Sequence, residues 1–154
     1  MGSEILLFLH LTGLSLWIGS MVLLAVLLLA VRRNLSQWNG TPLFLWITKL
    51  VTWFLNGAAL VVMLSGAGLI QMLGYTEASK PLWVKIMEQS GGLTVLLFIV
   101  IMTWFGNRAK KRLRGMQNFE TVDVSKMMGR YSTALSIFAV MALLVIFVVS
   151  FQVS

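Results

Sequence analysis

Long apolar runs alternate along this chain with short polar or basic stretches. Because about 20 apolar residues in a helix cross the hydrocarbon core of a bilayer, the pattern predicts four transmembrane helices. Their predicted bounds are 5–31, 43–75, 82–105 and 131–153. Strands are not expected, since backbone groups that face lipid must be hydrogen-bonded within their own helix. The chain is therefore predicted to be an all-α, polytopic membrane protein, with residues 1–154 forming one antiparallel four-helix transmembrane bundle.

Composition agrees with a membrane protein and excludes some kinds of site. Of the 154 residues, 58% are hydrophobic and only 11% are charged, whereas a soluble domain has about 25% charged residues. The chain has no cysteine, which excludes disulfides and thiolate metal sites. The first helix has neither a basic leader nor a small-residue cleavage site, so we expect it to be retained as a membrane helix.

The net charge of +7 is distributed unevenly, and its distribution predicts the orientation. The first and third loops carry nine Lys and Arg residues, whereas the second loop carries one, Lys80. Because Lys and Arg are enriched in short cytoplasmic loops, we expect a multi-pass protein of the cell membrane with both termini outside and the basic loops in the cytoplasm. The run RAKKRLRG is then expected to contact anionic lipid rather than nucleic acid.

Titratable side chains inside transmembrane helices are costly, and they usually face a bundle interior or a cavity. Within the predicted helices they are His10, Lys49, Lys85 and Glu88, and His10 is the only histidine of the chain. The first and third helices are both predicted to start outside, so His10, Lys85 and Glu88 are expected at similar depth in the outer third of the membrane. Lys49 lies near the cytoplasmic end, where its long side chain reaches the interface.

The helix face that carries His10 also carries a small and an aromatic residue. Gly13 and Trp17 follow His10 at spacings of three and seven residues, which places them on the same side. Gly13 would leave space below the imidazole, and Trp17 would line the floor of that space. We therefore expect a pocket between the first and third helices that includes Lys85 and Glu88. The alternatives are that His10 is a hydrogen-bonded packing residue and that Lys85 and Glu88 form an ion pair.

Three segments resemble motifs of the CopD/HemJ-like family of four-helix membrane proteins, which includes copper-resistance D proteins and the HemJ type of protoporphyrinogen oxidase. These segments are HLTGLSLWIG in the first helix, SGAGL at the end of the second and LWVK at the start of the third. In HemJ proteins the first-helix histidine, implicated in binding haem b, and the third-helix lysine are the functional pair. The resemblance implies that His10 and Lys85 hold haem b or a porphyrin, and that any enzyme activity is that of a membrane oxidoreductase.

Several functions stay open on the residues alone. Haem iron accepts imidazole, but one histidine per chain leaves the second axial position to another ligand or to a second copy in a homo-oligomer. Copper(I) prefers thioether sulfur together with imidazole, and His10, Met72 and Met87 form a candidate copper ligand set. Two further alternatives are a non-catalytic scaffold or assembly subunit of a larger membrane complex, and a quinone-binding subunit. Hydrolytic catalysis is not expected, because no Ser-His-Asp set or phosphate-binding loop occurs.

Overall fold

The computed structural model of the protein describes residues 2–34, 40–75, 79–115 and 121–152, apart from a few side chains at the ends of helices. Within these residues the secondary structure is entirely helical, with no strand. Four helices are long and apolar enough to cross a membrane. The prediction of an all-helical chain with four membrane-length helices is therefore confirmed.

Two of the four helices are continuous and two contain a single π-helical turn. The continuous ones are the first helix, Gly2–Arg33, and the fourth helix, Thr121–Gln152. The second helix consists, in order, of Gly40–Leu50, the π-helical turn Val51–Leu55, and Asn56–Met72. The third helix consists of Leu82–Ile86, the π-helical turn Met87–Gly91, and Gly92–Gly115. Such π-helical turns frequently accompany functional sites.

The helix ends depart from the predicted apolar spans where the flanking sequence favours or breaks a helix. The third helix, predicted to end at residue 105, continues to Gly115, because RAKKRLR consists of strong helix formers. The fourth begins at Thr121 rather than Tyr131, and the predicted last residue, 153, lies outside the described residues. The second ends at Met72 rather than residue 75, because Gly74 takes a positive φ of 65° and closes it.

Helices that follow one another in sequence are also neighbours in space. The first and third helices each pack on the second and the fourth. Across the bundle, the rings of Trp17 and Phe98 meet edge to face at 5.1 Å between their centres. Buried residues of the first helix lie between Gly13 and Val31. The well-packed core is therefore nearer to the basic end of the molecule than to the end that carries His10.

Candidate functional site around His10

His10 is half-buried on the first helix, and its polar contacts are to the second helix. The Nδ1 atom lies 3.0 Å from the backbone oxygen of Val62 and 3.3 Å from Oγ of Ser65. A carbonyl oxygen can only accept a hydrogen bond, so this contact places the ring proton on Nδ1. The Ser65 hydroxyl itself donates to carbonyl oxygens of its own helix, which leaves its oxygen to accept. In the neutral ring, Nε2 therefore keeps an unprotonated lone pair.

The imidazole of His10 rests on Gly66, and the absence of a side chain there sets its position. A Cβ atom at Gly66 would lie 3.0 Å from Cε1 and 3.3 Å from Nδ1 of the ring. Gly68 makes the same kind of room for Leu6, whose Cδ1 would be 3.1 Å from a Cβ. The glycines of the run SGAG thus let side chains of the first helix pack directly against the backbone of the second.

The residues that hold His10 were not assigned to its site from the sequence. The expected partners were Lys85, Glu88 and Met87 on the third helix and Met72 at the end of the second. The observed contacts are instead with Val62, Ser65 and Gly66 of the second. The run of small residues in SGAG, near the end of the second helix as His10 is near the start of the first, is the sequence feature that could have indicated them.

Gly13 permits close packing of the first two helices. A Cβ atom at Gly13 would lie 2.9 Å from Cγ2 of Val62. The space expected beneath the imidazole is therefore occupied by the Val62 side chain. The same valine thus fixes two features, the helix approach through its side chain and the His10 tautomer through its carbonyl oxygen.

Trp17 belongs to the core of the bundle. It is 1% exposed and lies seven residues, or about 10 Å, along the helix from His10. Its ring packs edge to face on Phe98, which in turn packs on Phe138. The buried indole Nε1 has no hydrogen-bond partner among the residues that the structure describes. A buried N–H group without an acceptor costs free energy of folding.

The charged residues of the third helix are not hydrogen-bonded to His10. Glu88 lies in the π-helical turn, and its Oε2 atom is 2.8 Å from Nζ of Lys80. Lys85 is half-buried and forms neither a hydrogen bond nor an ion pair with any residue in the described part of the chain. The carboxylate of Glu88 is therefore paired with Lys80 rather than with Lys85.

The structure does not bring the thioether of Met72 to His10. The Met72 methyl group lies beside Gly2, where a Cβ would be 2.8 Å away. Met72 follows Gly66 by six residues, which is about 9 Å along the second helix. Met87 is half-buried at the start of the π-helical turn of the third helix. Among the described residues there is also no group of three or more His, Cys, Asp or Glu that could hold a metal ion.

Comparisons with protein-family models, curated proteins and solved structures found no match to this chain. The candidate site is therefore defined by the geometry of His10 and its neighbours on the second helix.

Proposed function

We propose that this chain is an integral membrane protein that binds haem b or a porphyrin, and that in the haem-bound form Nε2 of His10 would hold the iron. The hydrogen bond from Nδ1 to the Val62 carbonyl carries this proposal. Histidines that bind metals usually donate their other ring N–H to a carbonyl or carboxylate, which fixes the ring and raises the basicity of the ligand nitrogen. His10 has this arrangement. The resemblance of HLTGLSLWIG and LWVK to the CopD/HemJ-like family supports the same function.

The residues present fit a haem held by one imidazole per chain. His10 is the only histidine and there is no cysteine, so a second imidazole for the same iron would have to come from a second copy of the chain. Val62 and Ser65 orient the imidazole, and Lys85 supplies a positive charge for a propionate. Haem b, when bound, supplies one-electron redox chemistry. Haem is favoured over copper because the Met72 thioether lies beside Gly2 instead of beside His10.

We further infer that the four helices span the membrane as an antiparallel bundle with both termini outside. The contacts of Gly2 with Met72 and of His10 with Gly66 pair the start of the first helix with the end of the second. The nine Lys and Arg residues of the first and third loops support a cytoplasmic location for those loops. His10 then lies in the outer leaflet.

Titration of haemin into the detergent-purified protein tests the proposed function. We expect His10→Ala to abolish the Soret change that accompanies binding while far-UV circular dichroism stays unchanged. Ser65→Ala should weaken binding about tenfold, as is typical when a residue that orients a metal ligand is lost. Lys85→Gln should weaken it through the loss of a charge. The matched control for Ser65→Ala is Ser15→Ala, which removes an exposed hydroxyl of the first helix, the helix that carries His10. Equal affinity of His10→Ala and the parent would refute ligation by His10.

A further inference from the structure

A cavity lies at the basic end of the molecule, remote from His10. It occupies about 380 Å³ between the start of the second helix, the end of the third and the start of the fourth. Its wall combines aromatic residues with arginines. The aromatic residues include Phe44, Phe105 and Tyr131, and the arginines are Arg108, Arg112 and Arg130. The lining of the cavity is almost entirely apolar, so the three arginines contribute mainly the aliphatic parts of their side chains to its wall, while the arginines themselves are exposed at the surface.

The apolar part is formed by rings that belong to the core. Phe44 is fully buried and Tyr131 is 1% exposed, and their rings meet edge to face at 5.7 Å. The buried Tyr131 hydroxyl has no hydrogen-bond partner among the described residues. That oxygen has almost no accessible surface and lies 3.8 Å from the position of a Cβ at Gly106, so Phe44 and Tyr131 offer apolar surface to a bound molecule.

The three arginines are exposed and available to a ligand. In the part of the chain that the structure describes, none of them is paired with a carboxylate. Arg108 and Arg112 lie one turn apart on the third helix, and the Arg108 guanidinium sits over the Trp104 ring at 5.2 Å. Arg32 differs, because its Nε donates to Ser125 Oγ at 3.2 Å and so ties the first helix to the fourth.

The sequence at this end cannot neutralise its own cations. Ten of the twelve Lys and Arg residues lie in or beside the first and third loops, against two acidic residues, Glu120 and Asp123. Even if both carboxylates approached the arginines, a large positive surplus would remain. A neutral ligand would not compensate this positive charge, whereas an anionic ligand is attracted by it.

We propose that this cavity binds one anionic phospholipid. The phosphate lies among Arg108, Arg112 and Arg130, and part of an acyl chain covers Phe44 and Phe105. Guanidinium groups match phosphate oxygens with paired hydrogen bonds, and basic pockets between transmembrane helices recognise anionic headgroups. This proposal is independent of haem binding at His10.

Native mass spectrometry of the whole chain in detergent tests the proposal with phosphatidylglycerol and phosphatidylcholine of identical acyl chains. We expect one phosphatidylglycerol to be retained per chain, with at least about tenfold preference over phosphatidylcholine. The variant Arg108→Gln/Arg112→Gln/Arg130→Gln should lose that preference. The matched control, Lys110→Gln/Lys111→Gln/Lys126→Gln, removes the same charge from cations that do not line the cavity and should keep it.

A second variant tests whether the lipid needs the space of the cavity as well as the charge of the arginines. Met127→Trp enlarges a half-buried lining residue and leaves every arginine in place, so we expect at least about a fivefold loss of phosphatidylglycerol retention. Glycerol 3-phosphate, which carries the phosphate without acyl chains, should not displace the lipid. Equal retention of the two lipids, an equal loss in the lysine control, or displacement by glycerol 3-phosphate would each overturn the proposal.

Discussion

A single backbone oxygen determines what the only histidine of this chain can do. Because the Val62 carbonyl accepts from Nδ1 of His10, the second ring nitrogen is left as the one that can bind iron. The ring lies against Gly66 so closely that a methyl group there would push it away by a few tenths of an ångström. At the scale of residues, the site consists of one imidazole, one carbonyl oxygen, one hydroxyl and one missing side chain.

Substitution of Gly57 and of Gly66, both in the second helix, should therefore give opposite results. Gly57→Ala meets nothing within 4 Å, so reduced backbone entropy should stabilise the protein by about 0.5–1 kcal/mol. Gly66→Ala places a methyl group against His10 and should lower the free energy of unfolding of the protein by about 1–2 kcal/mol. Equilibrium unfolding of each variant in mixed micelles checks the sign. If Gly66→Ala is stabilised as much as Gly57→Ala, the imidazole does not rest on Gly66.

The sequence allowed His10 to be selected as a site residue but did not reveal its partners. Its uniqueness and its position inside an apolar run are visible without coordinates. Its hydrogen bonds depend on how the first helix is rotated and shifted against the second, and an apolar helix surface leaves that register weakly specified. The approach of Val62 to Gly13 selects the register, and this contact joins residues far apart in sequence.

At the scale of helices, small residues decide which pairs approach closely. The first and second helices touch where Gly2, Gly13, Gly66 and Gly68 leave room for side chains of the partner. The second and third helices are joined differently, by a hydrogen bond of 2.9 Å from Asn56 Nδ2 to Thr103 Oγ1. Such bonds contribute roughly 0.6 kcal/mol within a membrane. Close packing at glycine is therefore the larger determinant of the arrangement around His10.

A double-mutant cycle measures this packing. Gly13→Ala inserts a methyl group 2.9 Å from Cγ2 of Val62 and should cost about 1–3 kcal/mol by overpacking. In a Val62→Ala background that atom is absent, so most of the cost should disappear and the two sites should couple strongly. Gly19→Ala, where a Cβ meets nothing within 4 Å, is the control. Additive effects of the two substitutions would contradict the close approach.

The number of helices could be predicted from sequence, whereas their ends and irregular turns could not. Apolar length reports where a helix crosses lipid, but the third helix continues through a basic segment to Gly115 because helix formers persist there. The π-helical turns Val51–Leu55 and Met87–Gly91 contain no proline and have no sequence pattern of their own. Glu88 lies in the turn Met87–Gly91 and pairs with Lys80 instead of Lys85.

At the scale of the whole molecule, the two ends differ in charge, packing and proposed ligand. The basic end holds most of the buried core and the arginine-lined cavity. The opposite end holds His10, and residues 2–12 of the first helix include none that is fully buried. Ligand sites at opposite ends of one bundle would face opposite leaflets if the helices span the membrane as inferred.

Single-cysteine labelling in intact cells tests the inferred orientation of the helices. Because the chain has no native cysteine, each variant carries a single reactive thiol. A membrane-impermeant maleimide should modify Ser3→Cys from outside. Arg114→Cys, in the basic last turn of the third helix, should react only after the membrane is permeabilised. Modification of Arg114→Cys in intact cells, with Ser3→Cys protected, would reverse the inferred topology and place His10 in the inner leaflet.

The absorption spectrum of the protein purified from haem-replete cells tests the central claim most directly, because it reports whether the chain acquires haem in the cell. If His10 binds haem b through Nε2, the purified chain shows a Soret band with at most one haem per chain, and this band is missing from His10→Ala prepared in parallel. A parent protein that is folded, carries no Soret band and takes up no added haemin would contradict the claim. His10 would then be a packing residue that ties the first helix to the second.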